Sequence, residues 1–332
     1  MTEFCPTEFC PCGSTKEYAL CCKLLHGGQP AQTALELMRA RYSAYVLNVP
    51  DYIMETTHPA SSKYTDNKFA WKRKIRHFST HSTFKKLDIL DFKTKGDVAI
   101  VTFVAHLTQD DHDATFTEKS YFEKIGGNWY YHLGYLAKGH DPRLVHATEL
   151  KTLPLAYYGD PILKKRGEPI VEINDEIKEL IEQMIETMDA YDGMGLAAPQ
   201  VRRSIRLFVI RTPIEGKDDE DDSFQLGDVL VFINPVISLK SEHLWERPES
   251  CLSIPLLSGN VKREKEITME YTTLAGARVI QNFSGWQARI IQHEYDHIEG
   301  VLFIDHLPPS EKVECEPFLK GFENRMLEKM KR

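Results

Sequence analysis

The sequence lacks the features that several protein classes require. No stretch of its 332 residues approaches the roughly 18 consecutive apolar residues of a membrane-spanning helix. The first residues, MTEFCPTEFCPCGS, have neither the basic start nor the apolar run of a secretory signal, so we expect a cytoplasmic protein. There is no internal repeat, and a composition of 42% hydrophobic and 27% charged residues excludes a collagen-like or wholly disordered chain.

An excess of positive charge is also lacking. The formal net charge is −8. Residues 1–150 carry 18 Lys/Arg and 17 Asp/Glu, whereas residues 151–332 carry 23 and 32. A general attraction to nucleic acid is therefore not indicated. At roughly 150 residues per domain, the length predicts two domains or more.

The first half of the chain has two kinds of pattern. Residues 31–47 repeat apolar side chains at helical spacing, and β-branched and aromatic runs from 86 to 135 predict strands, with a hairpin turn at Gly126-Gly127. A helix followed by an antiparallel sheet is typical of a small α+β domain. Residues 138–152 have weak periodicity and predict a linker.

A second region of predicted helices and strands follows this linker. A helix is predicted from Asn174, a candidate N-cap, to Asp192-Gly193, and another over 285–298 with Ser284 as its cap. A terminal amphipathic helix follows Pro308, and KDDEDD at 217–222 predicts an exposed loop. Strands are predicted at 206–210, 229–239 and 267–274.

The most informative motif is His293-Glu294-Tyr295-Asp296-His297. Residues four apart share one face of a helix, so both histidines can bind one metal ion while Glu294 acts on a metal-bound water. The alternative is a chance pair of histidines.

A catalytic metal site needs a third protein ligand and one open position. Cys251, in the segment ESCLS before a proline-containing loop, is the natural candidate; the alternative is a buried cysteine that only packs. The segment GMGLAAPQ, residues 193–200, has small residues that let a ligand approach the backbone, and its Gln200 provides an amide donor. The alternative is that this segment is only a tight connection. No Gly-Lys-Ser/Thr follows it, which disfavours a phosphate loop.

Together, GMGLAAPQ, ESCLS and QHEYDH, in this order and with these gaps, resemble peptide deformylase. The resemblance extends over about residues 152–332 and includes YYGDPILKKRGEPI and EGVLFIDHL. Ser250 stands where the family usually has Gly, and Ile298 where it usually has Leu. Ser250 adds a side chain near the substrate backbone but leaves the metal ligands intact.

The resemblance implies a ferrous-iron hydrolase that removes the formyl group from N-formylmethionine of new proteins. Cys251, His293 and His297 would hold the metal, with water in the fourth position. Glu294 would take the water proton and deliver it to the leaving amine. The Gln200 side chain and the Leu252 backbone N–H would meet the oxyanion. Zn²⁺, Ni²⁺ or Co²⁺ can occupy such a ligand set as well, so iron is inferred from the family alone.

Substrate contacts are carried over in the same way. The backbone of Met194 and Gly195 would pair with the peptide as an added strand, next to Ser250. The methionine side chain would enter an apolar pocket formed by Met194, Trp286, Ile290 and the stem of Arg289. Glu249 and Arg263 are expected to form an ion pair that braces the cysteine loop.

The N-terminal segment CPCGSTKEYALCC can wrap one tetrahedral Zn²⁺ and resembles the SEC-C motif. Cys5 and His26 are alternative ligands, and a redox-active or adventitious cysteine cluster is the competing interpretation. The four predicted structural ligands are Cys10, Cys12, Cys21 and Cys22.

Residues 29–136 resemble the YchJ-like proteins, which pair such a zinc module with a nuclear transport factor 2-like α+β domain. The segments MRARYSAYVLNVPDYIMETTHP and GGNWYYHLG carry this likeness. Within it, FAWKRKIRHF, residues 69–78, interleaves basic and aromatic residues. The segment either contacts RNA or forms a solvated helix with an apolar seam. His58, His77 and His81 are assigned no role.

The predicted fold is α+β, with antiparallel strands around a metal-binding helix in the second half. The predicted domains are a zinc motif at 1–28, a YchJ-like domain at 29–138, a linker at 139–151 and a deformylase domain at 152–332. The predicted partners are formylmethionyl nascent chains and the ribosome, to which the first half would direct the enzyme, and no membrane. Two alternatives stay open: an inactive deformylase-like protein that binds formylated N-termini, and two halves that merely share a chain.

Overall fold

The computed structural model describes residues 9–141, 144, 151–215 and 224–331. The described residues form two compact units. One contains the residues up to 144 together with those from 324 onward, and the other contains residues 151–323. None of the described helices has the length and apolarity to cross a membrane.

The helices of the chain range from one turn to six. The α-helices are α1 (Cys22–His26), α2 (Ala34–Val46), α3 (Pro50–Glu55), α4 (Lys68–His81), α5 (Asp175–Ala190), α6 (Gly285–Ile298) and α7 (Pro309–Met330). Short 3₁₀ turns lie at Tyr18–Leu20, Pro161–Lys164, Ala198–Val201 and Phe303–His306.

All strand pairs in the three sheets are antiparallel. The first-unit strands are β1 (Ser82–Lys95), β2 (Val98–Gln109), β3 (His112–Asp113), β4 (Phe116–Ile125) and β5 (Asn128–Lys138). The second-unit strands are β6 (Gly195–Ala197), β7 (Leu207–Glu215), β8 (Phe224–Lys240), β9 (Leu244–Cys251), β10 (Ile254–Glu264), β11 (Glu266–Thr272) and β12 (Arg278–Ser284).

The first unit packs α2 and α4 against a curved sheet. Its order is β1-β2-β4-β5, with β3 added to β2. Thr33 caps α2 by accepting a hydrogen bond from Glu36 N at 3.1 Å, and the α2 side chains Leu37 and Met38 enter the core. Gly126 and Gly127 form the predicted turn between β4 and β5, both at positive φ. The α+β prediction for this half is confirmed.

The cysteine-rich segment does not form a core of its own. Cys10, Cys12 and Cys22 belong to the same hydrophobic cluster as Leu37 of α2 and Trp71 of α4. The Arg39 guanidinium also donates to the Cys12 carbonyl at 2.5 Å. Some twenty residues cannot bury enough apolar surface alone. The segment therefore gains stability by packing on the α+β domain.

The second unit is built around α6. The sheet β12-β11-β8-β7-β6 packs Phe208, Phe232 and Met269 against Ile291 of α6. The hairpin of β9 and β10 contributes Cys251 and Val261 to a separate cluster. Antiparallel strands thus enclose the predicted metal-binding helix, as expected.

Several local predictions are confirmed and others are wrong. Asn174 caps α5, accepting from Ile177 N at 3.0 Å, and the helix after Pro308 is α7. Ser284 precedes α6 but makes no side-chain cap bond. Strand β9, which ends at Cys251, is absent from the predicted strands, because the charged alternation of LWERPES hid a half-exposed hairpin strand. The proline-containing loop predicted after Cys251 is instead the start of β10. The acidic stretch 217–222 and most of the linker 139–151 lie outside the described residues.

Candidate active site and metal centres

Helix α6 carries both predicted histidine ligands and the predicted base. His293 and His297 lie one turn apart, with ring centroids separated by 5.1 Å. Both histidines and the intervening Glu294 are buried. The apolar residues of α6, including Ile291 and Ile298, pack on the sheet and hold this polar face in place.

Cys251 reaches the two histidines from the end of β9. Its Sγ lies 3.2 Å from His297 Nε2, and the candidate ligand atoms of Cys251, His293 and His297 all lie within 4.8 Å of one another. Burial alone would raise the pKa of the Cys251 thiol, but the facing His297 and His293 rings hold it well below its usual range. A thiolate is the form in which cysteine binds metals.

The side chains around this cluster fit a metal ion. One sulfur and two imidazole nitrogens converge, which leaves one position open in a four-coordinate site. The His293 Nδ1 lies 3.0 Å from Glu249 Oε2, so its Nε2 is the nitrogen left for a metal. This ligand set suits several divalent metals, so it does not select one.

Glu294 is placed to exchange protons at this centre. Its side chain is 4% exposed, and its Oε2 has no hydrogen-bond partner among the described residues. Burial raises the pKa of the Glu294 carboxyl to about 7, a value suited to a general base near neutral pH. A Cβ on Gly195 would overlap the Glu294 side chain, so the glycine leaves room for that carboxyl.

Gln200 and Leu252 lie on the other side of Cys251. The Gln200 Oε1 accepts from Ala197 N at 2.8 Å, which directs its Nε2 toward Cys251 Sγ at 3.5 Å and Ser253 Oγ at 3.3 Å. The Leu252 backbone N–H makes no hydrogen bond within the part of the chain that is described. The Gln200 amide thus contacts one metal ligand, and the Leu252 N–H follows that ligand in the chain.

A network of buried ion pairs holds Glu249, the carboxylate that contacts His293. The Arg263 guanidinium donates to both Glu249 oxygens at 3.0 and 2.9 Å, so the expected ion pair is present. Burial would raise the pKa of Glu249, but hydrogen bonds from His293 and Arg263 hold it well below its usual range. Arg263 also pairs with Asp296, next to His297.

Arg289 belongs to this network, a role that the sequence reasoning missed. Its guanidinium donates to Glu249 Oε1 at 2.6 Å and to the carbonyls of Val261 and Trp245. The prediction had used only its stem in the methionine pocket. Its position four residues before His293 was the available signal, because both then lie on one face of α6.

The predicted substrate contacts lie near the free edge of β6. In the sheet, β6 pairs with β7 and is the last strand. The Met194 carbonyl accepts from Arg211 N at 2.8 Å, on the side of β6 that faces β7. In an antiparallel ladder the next residue points its backbone groups the other way, so those of Gly195 face the free edge.

The remaining substrate candidates differ in exposure. Ile290 is buried and packs in the α6 cluster, with Met194 beside it. Trp286 is half-buried and meets Trp245 edge-on, with ring centroids 5.1 Å apart. Ser250 is exposed at the end of β9.

The four N-terminal cysteines form a second candidate centre. The Sγ atoms of Cys10, Cys12, Cys21 and Cys22 all lie within 4.8 Å of one another, so they can hold a tetrahedral ion.

His26 is not an alternative ligand. Its Nδ1 lies 2.9 Å from the Tyr18 hydroxyl and its Nε2 lies 2.9 Å from the Ala40 carbonyl, so both ring nitrogens are engaged. Cys5 lies outside the described residues.

The structure of the basic helix α4 agrees with the simpler of its two interpretations, a solvated helix with an apolar seam. Trp71 and Ile75 are buried and Phe78 packs beside them, which forms the apolar seam. Lys72 pairs with Asp51 at 2.7 Å, while Phe69 is 80% exposed. Of the aromatic residues in the predicted RNA-contact segment, Phe69 is therefore exposed, whereas Trp71 and Phe78 pack in the apolar seam.

The fold and site together define a metal-dependent hydrolase, in which an HExxH helix meets a cysteine from a β-hairpin. The family model Polypeptide deformylase matches residues 152–313, and the model YchJ, middle NTF2-like domain, matches residues 33–134. The chain belongs to the peptide deformylase family and carries an additional YchJ-like domain.

Two relatives support this membership, and one solved structure is also similar. A peptide deformylase of Pseudothermotoga lettingae is 42% identical over 46% of this chain and 82% of its own length. One of Christiangramia forsetii is 42% identical over 48% of this chain and 84% of its own. A crystal structure of peptide deformylase from Thermotoga maritima aligns at 37% identity over 48% of this chain and 99% of that one, with a TM-score of 0.41.

Proposed function

We propose that this enzyme hydrolyses the N-formyl group of N-formylmethionyl nascent proteins and releases formate, acting in the cytoplasm. The observation that carries the proposal is the convergence of Cys251, His293 and His297 within 4.8 Å, next to the buried Glu294. The formyl amide is small and uncharged, so its cleavage depends on an activated nucleophile and a stabilised oxyanion.

These three side chains would hold one Fe²⁺, which Zn²⁺, Ni²⁺ or Co²⁺ can replace. A divalent ion there supplies Lewis-acid polarisation and a nucleophile near neutral pH. Glu249 orients His293 through its Nδ1, and Arg263 and Arg289 keep Glu249 ionised and in position.

The protein's own groups perform the proton transfers and orient the substrate. Glu294 takes a proton from the attacking water and returns it to the leaving amine nitrogen. The Gln200 amide and the Leu252 N–H donate to the oxygen that becomes negative. The Gly195 backbone pairs with the peptide, Ser250 lies along it, and Met194, Trp286, Ile290 and the Arg289 stem receive the methionine side chain.

Deformylation of formyl-Met-Ala-Ser by anaerobically prepared, Fe²⁺-loaded protein tests this proposal. We expect turnover by the wild type and loss of it in Glu294→Ala. The competing candidate is an inactive protein that binds formylated N-termini. It predicts that a sample with one metal ion per Cys251 site shows no turnover. Retention of the metal ligands, Glu294 and Gln200 favours the enzyme.

The first half would serve as an accessory region. Its four clustered cysteines would hold a structural Zn²⁺ that fastens the segment 1–28 to the domain 29–138. A linker at 139–151 would then lead to the deformylase domain at 152–332. In the structure, residues 324–331 are grouped with the first unit, which the sequence-based boundary did not anticipate.

We further propose that this region directs the enzyme to ribosomes, where its substrate first appears. Co-sedimentation of the full chain with ribosomes at moderate salt tests the idea. A chain that begins at residue 152 is the comparison. If both chains pelleted equally, or if neither pelleted, the first half would have no targeting role and the two halves would merely share a chain.

A further inference from the structure

The first unit contains a large cavity that the deformylase reaction does not use. Its volume is about 760 Å³, within the range of roughly 300–1,000 Å³ that small-molecule sites occupy. It lies between α2, α4 and the sheet, and every residue that lines it falls between 38 and 136. The cavity is thus complete within one unit.

Ten of the 25 residues that line it are aromatic. Tyr42, Trp71, Phe78, Phe84 and Phe103 line it, and the Phe78 and Phe84 rings meet edge-on with centroids 5.8 Å apart. Such a lining favours an apolar or aromatic body in the ligand.

A carboxyl group lies in the buried part of the cavity. Glu118 is 9% exposed, and its Oε1 accepts from Ser120 Oγ at 2.7 Å and from the Tyr131 hydroxyl at 3.1 Å. Its Oε2 has no donor among the residues that the structure describes. A Cβ on Gly134 would lie 2.1 Å from Glu118 Oε1, so Gly134 leaves the room that this carboxyl needs.

A second polar group in the cavity wall is also without a hydrogen-bond partner in the described part of the chain. The Tyr45 ring lines the cavity, and its hydroxyl makes no hydrogen bond within the described ranges. Burial raises the pKa of Tyr45, and the Glu118 charge adds to this rise. A ligand group that both donates and accepts, such as a hydroxyl or an amide, would satisfy the two side chains together.

Two cations lie at the exposed part of the cavity wall. Lys63 and Lys74 both line it, both are exposed, and neither forms an ion pair within the described chain. The third cation, Arg41, is already used, because its Nη1 donates to the Ile53 carbonyl at 2.9 Å and to Thr56 Oγ1 at 2.7 Å. An anionic group entering the cavity would therefore meet the two lysines.

We infer that this cavity binds a small amphipathic acid. Its apolar or aromatic body would lie among the rings, and its anionic group would pair with Lys63 and Lys74. An uncharged hydroxyl or amide at its other end would bond to Glu118 and Tyr45. A cationic ligand is disfavoured, since three basic side chains and one acidic side chain line the cavity. The site is independent of the deformylase reaction.

Two fluorescent probes that differ in one charge test the inference on the full chain. Anilinonaphthalene sulfonate is an aromatic anion, and N-phenylnaphthylamine is its neutral counterpart. We expect one site per chain, with the anion bound about tenfold more tightly because two charge-assisted contacts form. Absence of binding by both probes, or equal affinity for the two, would overturn the proposal.

Variants locate the site. Lys63→Ala/Lys74→Ala should remove the tenfold preference for the anion and leave the neutral probe unchanged, since both lysines are exposed and the fold does not depend on them. The matched control Lys23→Ala/Lys85→Ala removes two exposed lysines outside the cavity and should change neither affinity. An unaltered preference in the first variant would contradict the proposed pairing.

Filling the cavity supplies the second measurement. Ala70 lines it from α4, so Ala70→Trp should abolish binding of both probes. A thermal unfolding midpoint within a few degrees of the wild type shows that the variant is folded. Retained binding in such a folded variant would place the probes elsewhere and overturn the inference.

Discussion

The two cysteine-containing centres differ in how the chain assembles them. At the first, four sulfurs come from residues 10–22, a local segment that closes on itself. At the second, Cys251 at the end of β9 meets two histidines of α6, more than forty residues away, and a buried carboxyl stands beside them. Four protein ligands complete the coordination of a tetrahedral ion, whereas three leave one coordination position open for water or substrate.

The comparison teaches that ligand count and nearby proton donors and acceptors separate a structural centre from a catalytic one. The first centre has its neighbours engaged in packing and in hydrogen bonds to α2. At the second, the Gln200 amide donates to Cys251 Sγ, the Leu252 N–H follows Cys251 directly in the chain, and Glu294 Oε2 has no partner among the described residues. Perturbing each centre should therefore change different properties.

The largest effect is expected from removing the base of the second centre. Glu294→Ala should lower kcat by roughly a thousandfold, in the range of general acid–base catalysis, because the proton transfer is lost. Metal content, measured by elemental analysis, should stay near that of the wild type. A variant that keeps more than a tenth of the activity would remove Glu294 from the mechanism.

A smaller loss should follow from displacing this carboxyl. In Gly195→Ala the added Cβ would overlap Glu294 Oε1, and a shift of about 1 Å costs roughly a hundredfold in rate. Steady-state kinetics on formyl-Met-Ala-Ser gives the value. Gly276→Ala, at a site where a Cβ meets nothing within 4 Å, is the control for an added methyl group, although its positive φ lowers stability slightly. Equal activity of both variants would contradict the contact.

Removing the support behind His293 should weaken the metal centre. Arg263→Ala removes one of the two arginines that hold Glu249, the carboxylate that orients His293, and such supporting partners are worth roughly 10- to 100-fold in metal affinity or activity. Metal competition titrations and kinetics check this. Arg263→Lys keeps the charge but loses the bidentate pairing, so it should recover only part of the loss. An Arg263→Ala enzyme with unchanged metal content and activity would show that the pair is not needed.

Substitutions at the first centre should lower the stability of the first unit and leave the catalytic turnover nearly unchanged. Cys12→Ser/Cys21→Ser removes two of four ligands, so zinc content should fall and the first unit should unfold at lower temperature. Turnover of a short formylated peptide should stay within about twofold, since the catalytic groups lie in the other unit. Calorimetry and kinetics on one sample compare the two. A parallel loss of turnover would contradict the division of roles.

The smallest change is expected at Ser250, where the family usually has glycine. Ser250 is exposed and touches neither metal ligand side chains nor Glu294 in the described hydrogen bonds. Ser250→Gly should therefore change KM for short formylated peptides by about threefold or less, in line with most surface substitutions, and leave kcat unaltered. A large change in kcat would mean that Ser250 participates in the reaction geometry.

Sequence reasoning succeeded where the information is local. The helical spacing of His293 and His297, the Asn174 cap and the Gly126-Gly127 turn all depend on neighbours within a few residues. It failed for β9, whose charged residues conceal a hairpin that pairs only with β10. It also failed for His26, whose nitrogens are engaged by Tyr18 and by the backbone of α2.

The sequence by itself determined the ligand types, their spacing on α6 and the family, because helix periodicity and short motifs are properties of consecutive residues. Only the tertiary structure decided that Arg289 supports Glu249, that Gly195 makes room for Glu294, and that Glu118 stands open in a cavity. Each of these depends on contacts between segments far apart in the chain. Burial and the charge of distant partners set their chemistry, and both exist only after the chain has folded.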